Sequence, residues 1–233
     1  MHFEICLDKL QCGLGFSPFS NRSCGWKMAG SGARRFPRLR MNYCSNCGEA
    51  VVKKVPEGDN LPRFVCECCQ TIHYQNPKIV TGCLPAWEDS VLLCRRGIEP
   101  RYGLWTLPAG FMENAETVLE AALRETHEEA RARVDIIDLY ALFNLPHVNQ
   151  VYMMFRAELL ALDFSAGAET LEVRLFKQEE IPWEQIAFRT IDQTLKFYFL
   201  DRAAGEFRFH MGDIVREHDR VEFVQRRIVH ALG

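Results

Sequence analysis

Between Gly110 and Glu129 the chain carries a spacing that few folds have a use for. A glycine is followed by Glu116, then by the pairs Arg124-Glu125 and Glu128-Glu129. On a helix, Glu125, Glu128 and Glu129 stand at i, i+3 and i+4, within roughly 100° of arc. Carboxylates so close repel one another, and a self-supporting helix gains nothing from them. They become favourable when a hard divalent cation lies among them, because Mg²⁺ takes oxygen ligands and shares them with substrate phosphates. A Glu-rich helical face is ordinarily just solvated surface, and a lone Glu-Glu pair would mean no more than that. Here six positions are fixed together. At residue frequencies of about 5–7% each, a chance match is on the order of one in ten million per window. The segment predicts metal-dependent phosphate chemistry on a helix over Thr117–Ala130, with Leu119, Ala122 and Leu123 as its apolar face.

Ten cysteines suggest a disulfide framework until their positions are read. Five lie between Cys44 and Cys69, and two Cys-x-x-Cys pairs, Cys44/Cys47 and Cys66/Cys69, stand 18 residues apart. In a chain without a convincing secretory signal this pattern points to metal binding in a reducing, cytoplasmic setting. Four thiolates within tetrahedral reach suit Zn²⁺, so residues 41–76 are expected to form a zinc ribbon. So small a segment buries little apolar surface, and the metal would carry much of its folding energy. Cys68 is a spare in this scheme. His73 is a weaker alternative ligand and reads better as a hydrogen-bonded side chain.

Net charge is −3 but uneven. Residues 1–40 hold seven Lys/Arg against two acids, leaving the rest of the chain with 21 basic and 29 acidic residues. A body so acidic argues against general nucleic-acid binding, and the ribbon, with four bases and four acids over 41–80, is neutral. A structural or dimer-forming role suits it better. No apolar run is long enough for a membrane helix. Residues 1–40 lack clear periodicity, and three readings stand for them: an upstream start with Met28 or Met41 as the true beginning, a disordered basic extension, or targeting. Early acids Glu4 and Asp8 argue against a transit peptide.

From Lys78 the pattern turns to strands. Ile79–Trp87 and Ser90–Arg95 flank a turn at Glu88-Asp89 and read as a hairpin. Gly103–Gly110 reads as a loop with a short strand. Strands follow near Val134–Phe143, Val151–Leu160 and Glu172–Lys177. A second helix is expected over Ala187–Ala203, with Phe188, Ile191, Leu195 and Leu200 on one stripe. The charged tail, residues 213–233, reads as a surface helix or a mobile segment.

Gly110, Glu116, Arg124, Glu125, Glu128 and Glu129 together resemble the box of the Nudix hydrolase superfamily. Thr126, Arg131 and Ala132 depart from that pattern, which has a bulky apolar residue, a glycine and a bulky apolar residue at these places. None of the three is a metal ligand, so the departures bear on the helix end and not on the chemistry. The ribbon, Tyr74–Pro77, Gly103–Gly110, Glu172–Phe176 and Phe207–His210 extend the likeness to the zinc-ribbon Nudix group that contains plant plastid FAD pyrophosphatase. The Ser-Gln-Pro-Trp-Pro-Phe segment of the NADH pyrophosphatase group is absent, which lowers a preference for NADH.

The resemblance implies an α/β/α sandwich around a mixed sheet over 77–212, preceded by the ribbon. It implies Mg²⁺ or Mn²⁺ held by Glu125, Glu128, Glu129 and the Gly110 carbonyl, with Arg124 fixed by a salt bridge to Glu116. The implied substrate is a small nucleotide, FAD or ADP-ribose first, cleaved to AMP and a second phosphate monoester. A homodimer is common in the family. Trp105, Phe111, Phe143 and Tyr152 are candidates to stack on a base, with Glu172 as a further substrate-site residue. Glu128, Glu169 and Glu172 are the general-base candidates. NADH or nucleoside triphosphate hydrolysis is the alternative reading, and a binding module with a vestigial site is the remaining one.

Overall fold

The computed structural model describes residues 41–217 and 220–225, so the readings for 1–40 and for the last eight residues lie outside it. Two separate sheets account for the strands. The first is antiparallel and small: β1 (Val51–Lys54), β2 (Arg63–Cys66) and β3 (Ile72–His73), in that order. Gly58, at φ +78, turns the chain between β1 and β2 in a conformation that L side chains rarely adopt. Asp59 holds that turn by accepting from the Asn60 and Leu61 N–H groups at 2.7 and 3.1 Å. The cysteine pairs sit together at one end of this sheet, because the Cys44–Cys47 turn leads into β1 and Cys66, which opens the second turn, pairs with Val51 at the start of β1.

The second sheet has nine strands. They are β4 (Lys78–Trp87), β5 (Ser90–Arg96), β6 (Trp105–Thr106), β7 (Ala109–Phe111), β8 (Val134–Leu145), β9 (Gln150–Leu159), β10 (Thr170–Lys177), β11 (His210–Glu217) and β12 (Arg220–Gln225). Their order is β10-β5-β4-β9-β8-β11-β12, with β6 on β5 and β7 on β4. β4 runs parallel to β9 and β11 parallel to β8, while the other pairs are antiparallel, so the sheet is mixed. Helix α1 (Val118–Ala130) covers one face and α2 (Arg189–Ala204) the other, each over its own buried cluster. This is the expected sandwich. No helix among the described residues is long and apolar enough to cross a membrane.

The hairpin of β4 and β5 pairs only at Ala86↔Val91 and Trp87↔Ser90. Beyond that the two strands part, and β7 and β6 fill the gap. Pro108 separates these short strands because it has no N–H for a ladder, though its carbonyl still accepts from Cys83 N–H at 3.1 Å.

Helix α1 starts at a capping box. Glu120 N–H donates to the Thr117 hydroxyl at 3.2 Å, and Thr117 N–H donates to the Glu120 carboxylate at 2.7 Å. Of its expected apolar face only Ala122 is buried: Leu119 and Leu123 are exposed, and Ala121, Thr126 and Ala130 join Ala122 against the sheet. The helix lies too close to β4 for leucines. Thr81 donates its hydroxyl to Val118 O at 3.1 Å, and the Cys83 thiol reaches Ala122 O at 3.6 Å. Thr126 fits this dry face because its own hydroxyl returns to Ala122 O at 2.7 Å.

At the other end of α1, Arg131 adopts a left-handed conformation, φ 50 and ψ 17. A glycine would sit there at roughly 1 kcal/mol less. The loop after β9 completes the cap, with Ser165 N–H donating to Ala130 O at 2.9 Å and Gly167 N–H to Glu129 O at 3.0 Å. Gly167 is obligatory, since a Cβ there would stand 1.7 Å from Glu128 O.

Two further expectations are corrected. Phe188 precedes α2 as its N-cap residue and Leu200 is 66% exposed, so of the expected stripe Ile191 and Leu195 are buried, joined by Phe197, Tyr198 and Phe199. The stretch from residue 213 is neither helix nor loose tail where described, but the strand pair β11–β12. Gly212 lets the Phe223 ring lie directly on the backbone, where a Cβ would meet ring carbons at 2.1 Å. Phe223 in turn packs edge-on to Phe143 and Phe197. Asp201 pins the start of β11 by accepting from Tyr140 Oη at 2.9 Å, Arg208 N–H at 3.0 Å and His210 Nε2 at 2.8 Å.

Candidate active site

The acidic segment is organised by one arginine. Arg124 forks onto Glu116, with Nε to Oε2 at 3.0 Å and Nη2 to Oε1 at 2.8 Å, and Nη2 also donates to Phe111 O at 3.1 Å. Its Nη1 donates to Glu125 Oε1 at 2.8 Å and to Glu128 Oε2 at 3.1 Å. The expected Arg124–Glu116 salt bridge is therefore present, and it holds α1 against β7. Arg124 keeps the Glu116 carboxyl down at about 2.

Glu125 lies in a slot floored by Gly110, where any Cβ would come within 2.2 Å of Oε2. Glu129 accepts from Ala109 N–H at 3.2 Å. Burial pushes Glu129 up to about 7, with the Glu125 charge adding to it and the Ala109 N–H opposing it. Burial also raises Glu125, against the pull of Arg124. Glu128 stands at the rim with its side chain 57% exposed. The three carboxylates do not converge on one point, because the Arg124 guanidinium stands between Glu125 and Glu128. Two acids pushed towards protonation by burial are short of positive charge, and an all-oxygen donor set of this kind fits a hard divalent cation.

Among the described residues, only Cys44, Cys47, Cys66 and Cys69 form a group of possible metal ligands whose atoms all lie within 4.8 Å of one another. The sulfurs of Cys44 and Cys69 are 3.6 Å apart, and those of Cys47 and Cys66 are 3.4 Å apart. Hydrogen bonding from Thr71 brings the Cys69 thiol down to about 5, which favours the thiolate that metals require. His73 Nε2 lies 3.3 Å from the Cys44 sulfur, the place of a supporting partner, while Cys68 is exposed and outside the group.

A cavity of about 1410 Å³ opens over the acids. Gly110, Phe111, Arg124, Glu125, Glu128, Glu129, Tyr152 and Glu169, all candidates from the sequence, line it. Glu116 stands behind Arg124. Three candidates are elsewhere. Trp105 is 7% exposed and packs edge-on to Phe176 at 4.8 Å, and Phe143 is wholly buried against Phe223. These rings fill the α2-side core, as rings on inward-facing strand positions usually do. Glu172 projects from the surface of β10 towards Arg95, 3.7 Å away, and does not line the cavity.

The wall also contains residues that sequence reasoning passed over. Phe188 and Arg189 enter from the start of α2, and Arg96 lies over the Phe188 ring at 5.1 Å. His147 comes from the β8–β9 turn and Arg101 from the β5–β6 loop. Only Arg131 carried a signal, a charged residue where the box has glycine.

Comparison with known proteins agrees with this geometry. A family model described as the Nudix N-terminal zinc ribbon matches residues 42–75, and the NUDIX domain model matches residues 77–200. The chain belongs to the Nudix hydrolase family. A solved Nudix hydrolase from Nitrosomonas europaea is 58% identical, with a TM-score of 0.74, covering 76% of this chain and 100% of that one. An ADP-ribose pyrophosphatase of Methanocaldococcus jannaschii is 27% identical over 47% of this chain and 67% of its own length. A NAD-capped RNA hydrolase NudC of Edwardsiella ictaluri is 29% identical over 60% of this chain and 53% of its own length. This Nudix chain thus spans about half to two thirds of those two curated relatives.

Proposed function

We propose that this protein hydrolyses the diphosphate bond of a nucleoside diphosphate linked to a second moiety, with FAD and ADP-ribose as the favoured substrates. AMP and a second phosphate monoester are the products. The observation that carries this reading is the Glu125–Glu128–Glu129 row lining a 1410 Å³ cavity. Pockets for drug-sized ligands run to about 1,000 Å³. A cavity larger than that has room for a substrate with a group on each side of its diphosphate. Phe111, Tyr152 and Phe188 offer rings along its walls for a base or flavin. The curated relatives are named for ADP-ribose and NAD-capped RNA, which suits the same class.

Glu125, Glu128, Glu129 and the Gly110 carbonyl are the groups that would hold Mg²⁺ or Mn²⁺. When bound, such an ion offsets charge on the phosphate oxygens and makes water more acidic. Glu116 fixes Arg124, and Arg124 fixes Glu125 and the β7 backbone, so the acid row is preorganised from behind. Glu128 and Glu169 both face the cavity and are the two acceptors for the proton of the attacking water. Glu172, facing Arg95 on the outer surface, is not.

In the ribbon, Cys44, Cys47, Cys66 and Cys69 form the four-sulfur donor set of a structural Zn²⁺ site, and the proposed role of that metal is to hold the segment folded.

The test is a substrate panel of FAD, ADP-ribose, NADH and nucleoside triphosphates with Mg²⁺ and product identification. AMP with a phosphate monoester supports the reading. Pyrophosphate released only from triphosphates redirects it to another Nudix activity, and no Mg²⁺-dependent hydrolysis of any substrate overturns it.

A further inference from the structure

Five arginines line the cavity: Arg96, Arg101, Arg124, Arg131 and Arg189. Three are engaged by the protein itself. Arg124 is held by Glu116, Glu125 and Glu128. Arg189 pairs with Asp192 at 3.2 Å, and Arg96 donates to Pro100 O at 3.0 Å. The side chains of Arg101 and Arg131 make no hydrogen bond, ion pair or ring contact with any described residue. For Arg131 this is unexpected. Glu128 lies three residues before it, at a spacing suited to a helical ion pair, yet Arg124 takes that carboxylate.

Both unpaired arginines also sit on left-handed backbone, at φ 71 for Arg101 and φ 50 for Arg131. Gly58, Gly103 and Gly205 meet the same backbone demand elsewhere in the chain without strain. Two long cations at positions that favour glycine gain no pairing energy from the described residues. Their bases are nonetheless firmly set. The loop carrying Arg101 is tied to Glu169 by Gly97 N–H donating to Glu169 O at 2.7 Å. The loop containing Glu169 caps α1 beside Arg131, through Ser165 and Gly167.

We propose that Arg101 and Arg131 are substrate-binding residues, a two-armed clamp on the non-bridging oxygens of the substrate's diphosphate. A planar guanidinium with all its donors free is the side chain best matched to phosphate, which it grips through two parallel hydrogen bonds. The clamp places positive charge on the rim of a cavity whose floor repels anions. It rests on the diphosphate-hydrolase reading for its substrate, though not for its chemistry, which any diphosphate can probe.

The experiment compares Arg131→Gly, Arg131→Lys, Arg101→Gly and the double glycine variant with the wild type. Readouts are Tm, KM and kcat for ADP-ribose, and binding of inorganic pyrophosphate by calorimetry without metal. Arg131→Gly is expected to raise Tm by about 2–4 °C, because the backbone strain is relieved. The same change is expected to raise KM on the order of tenfold with a smaller change in kcat, and to weaken pyrophosphate binding by a similar factor. Arg131→Lys keeps a cation at the helix end, favourable to its dipole, but not the fork, so it recovers only part of the affinity. A lowered Tm with unchanged KM and pyrophosphate affinity assigns Arg131 to the fold and overturns the clamp. If the wild type cleaves no diphosphate yet binds pyrophosphate and the double variant does not, the clamp stands and the substrate assignment falls. A wild type that binds no pyrophosphate overturns the clamp.

Discussion

Substituting alanine for Gly110 separates the chemistry of this site from its stability. The added Cβ would lie 2.2 Å from Glu125 Oε2 and 2.3 Å from its Cδ, where ordinary heavy-atom contacts are about 3.5–4.0 Å. The carboxylate must retreat by about 1 Å or more. It has little room, since its side chain is 12% exposed and Arg124 Nη1 holds Oε1 at 2.8 Å. Overpacking of this kind costs about 1–3 kcal/mol, and a displacement of about 1 Å at a reacting group costs on the order of 10²-fold in rate. Gly82→Ala is the matched control, because its Cβ would meet Pro108 O and the Ala109 Cβ, both at 2.3 Å. Backbone cannot swing aside as a carboxylate can, so that variant should lose Tm first. The assay is kcat/KM for ADP-ribose beside thermal melting for both variants. A Gly110→Ala protein with wild-type kcat/KM refutes the argument, because the rate would then not depend on where the Glu125 carboxylate stands.

Arg124 holds Glu116 down at about 2 from an ordinary 4.5, so the stability it contributes is present above 4.5 and is lost as pH falls through about 2. Glu116→Gln should flatten that acid limb in melting curves taken across pH 2–5, and an unchanged limb would count against the Arg124–Glu116 pairing. Cys66→Ser, or a strong chelator, should release zinc as read by metal analysis. It should also open residues 41–76 to proteolysis while the nine-stranded sheet stays protected. Full protection of the ribbon without metal would sink the claim that the metal folds it.

The parts of this molecule that sequence revealed are those where local chemistry dictates local geometry. Spacing alone put Glu125, Glu128 and Glu129 on one turn and gathered the four cysteines. Runs of apolar residues bounded by turns marked β4, β8 and β9. What sequence hid depends on contacts between distant segments. Leu119 and Leu123 are apolar at helical spacing, yet α1 lies so close to Thr81 and Cys83 that alanines take the buried face. The charged run after Gly212 looks like a tail because nothing in it announces that β8 needs a neighbour, or that Phe223 will lie on a glycine. Trp105 and Phe143 have the ring chemistry of a base-stacking residue. Which face of the sheet they occupy decides the matter, and both point into the core under α2. Phe188 is the converse: it read as a core stripe residue but lies one position before the helix, at the cavity wall.

The proposed diphosphate cleavage requires Glu125, Glu128 and Glu129 on α1 to bind a divalent ion. A Mn²⁺ titration followed by electron paramagnetic resonance, on wild type and on Glu129→Gln, tests it most directly. The wild type is expected to take up Mn²⁺ and the variant to bind it at least about tenfold more weakly, the loss of one charged ligand costing some 1.4 kcal/mol or more. Identical Mn²⁺ binding by the two proteins would contradict it.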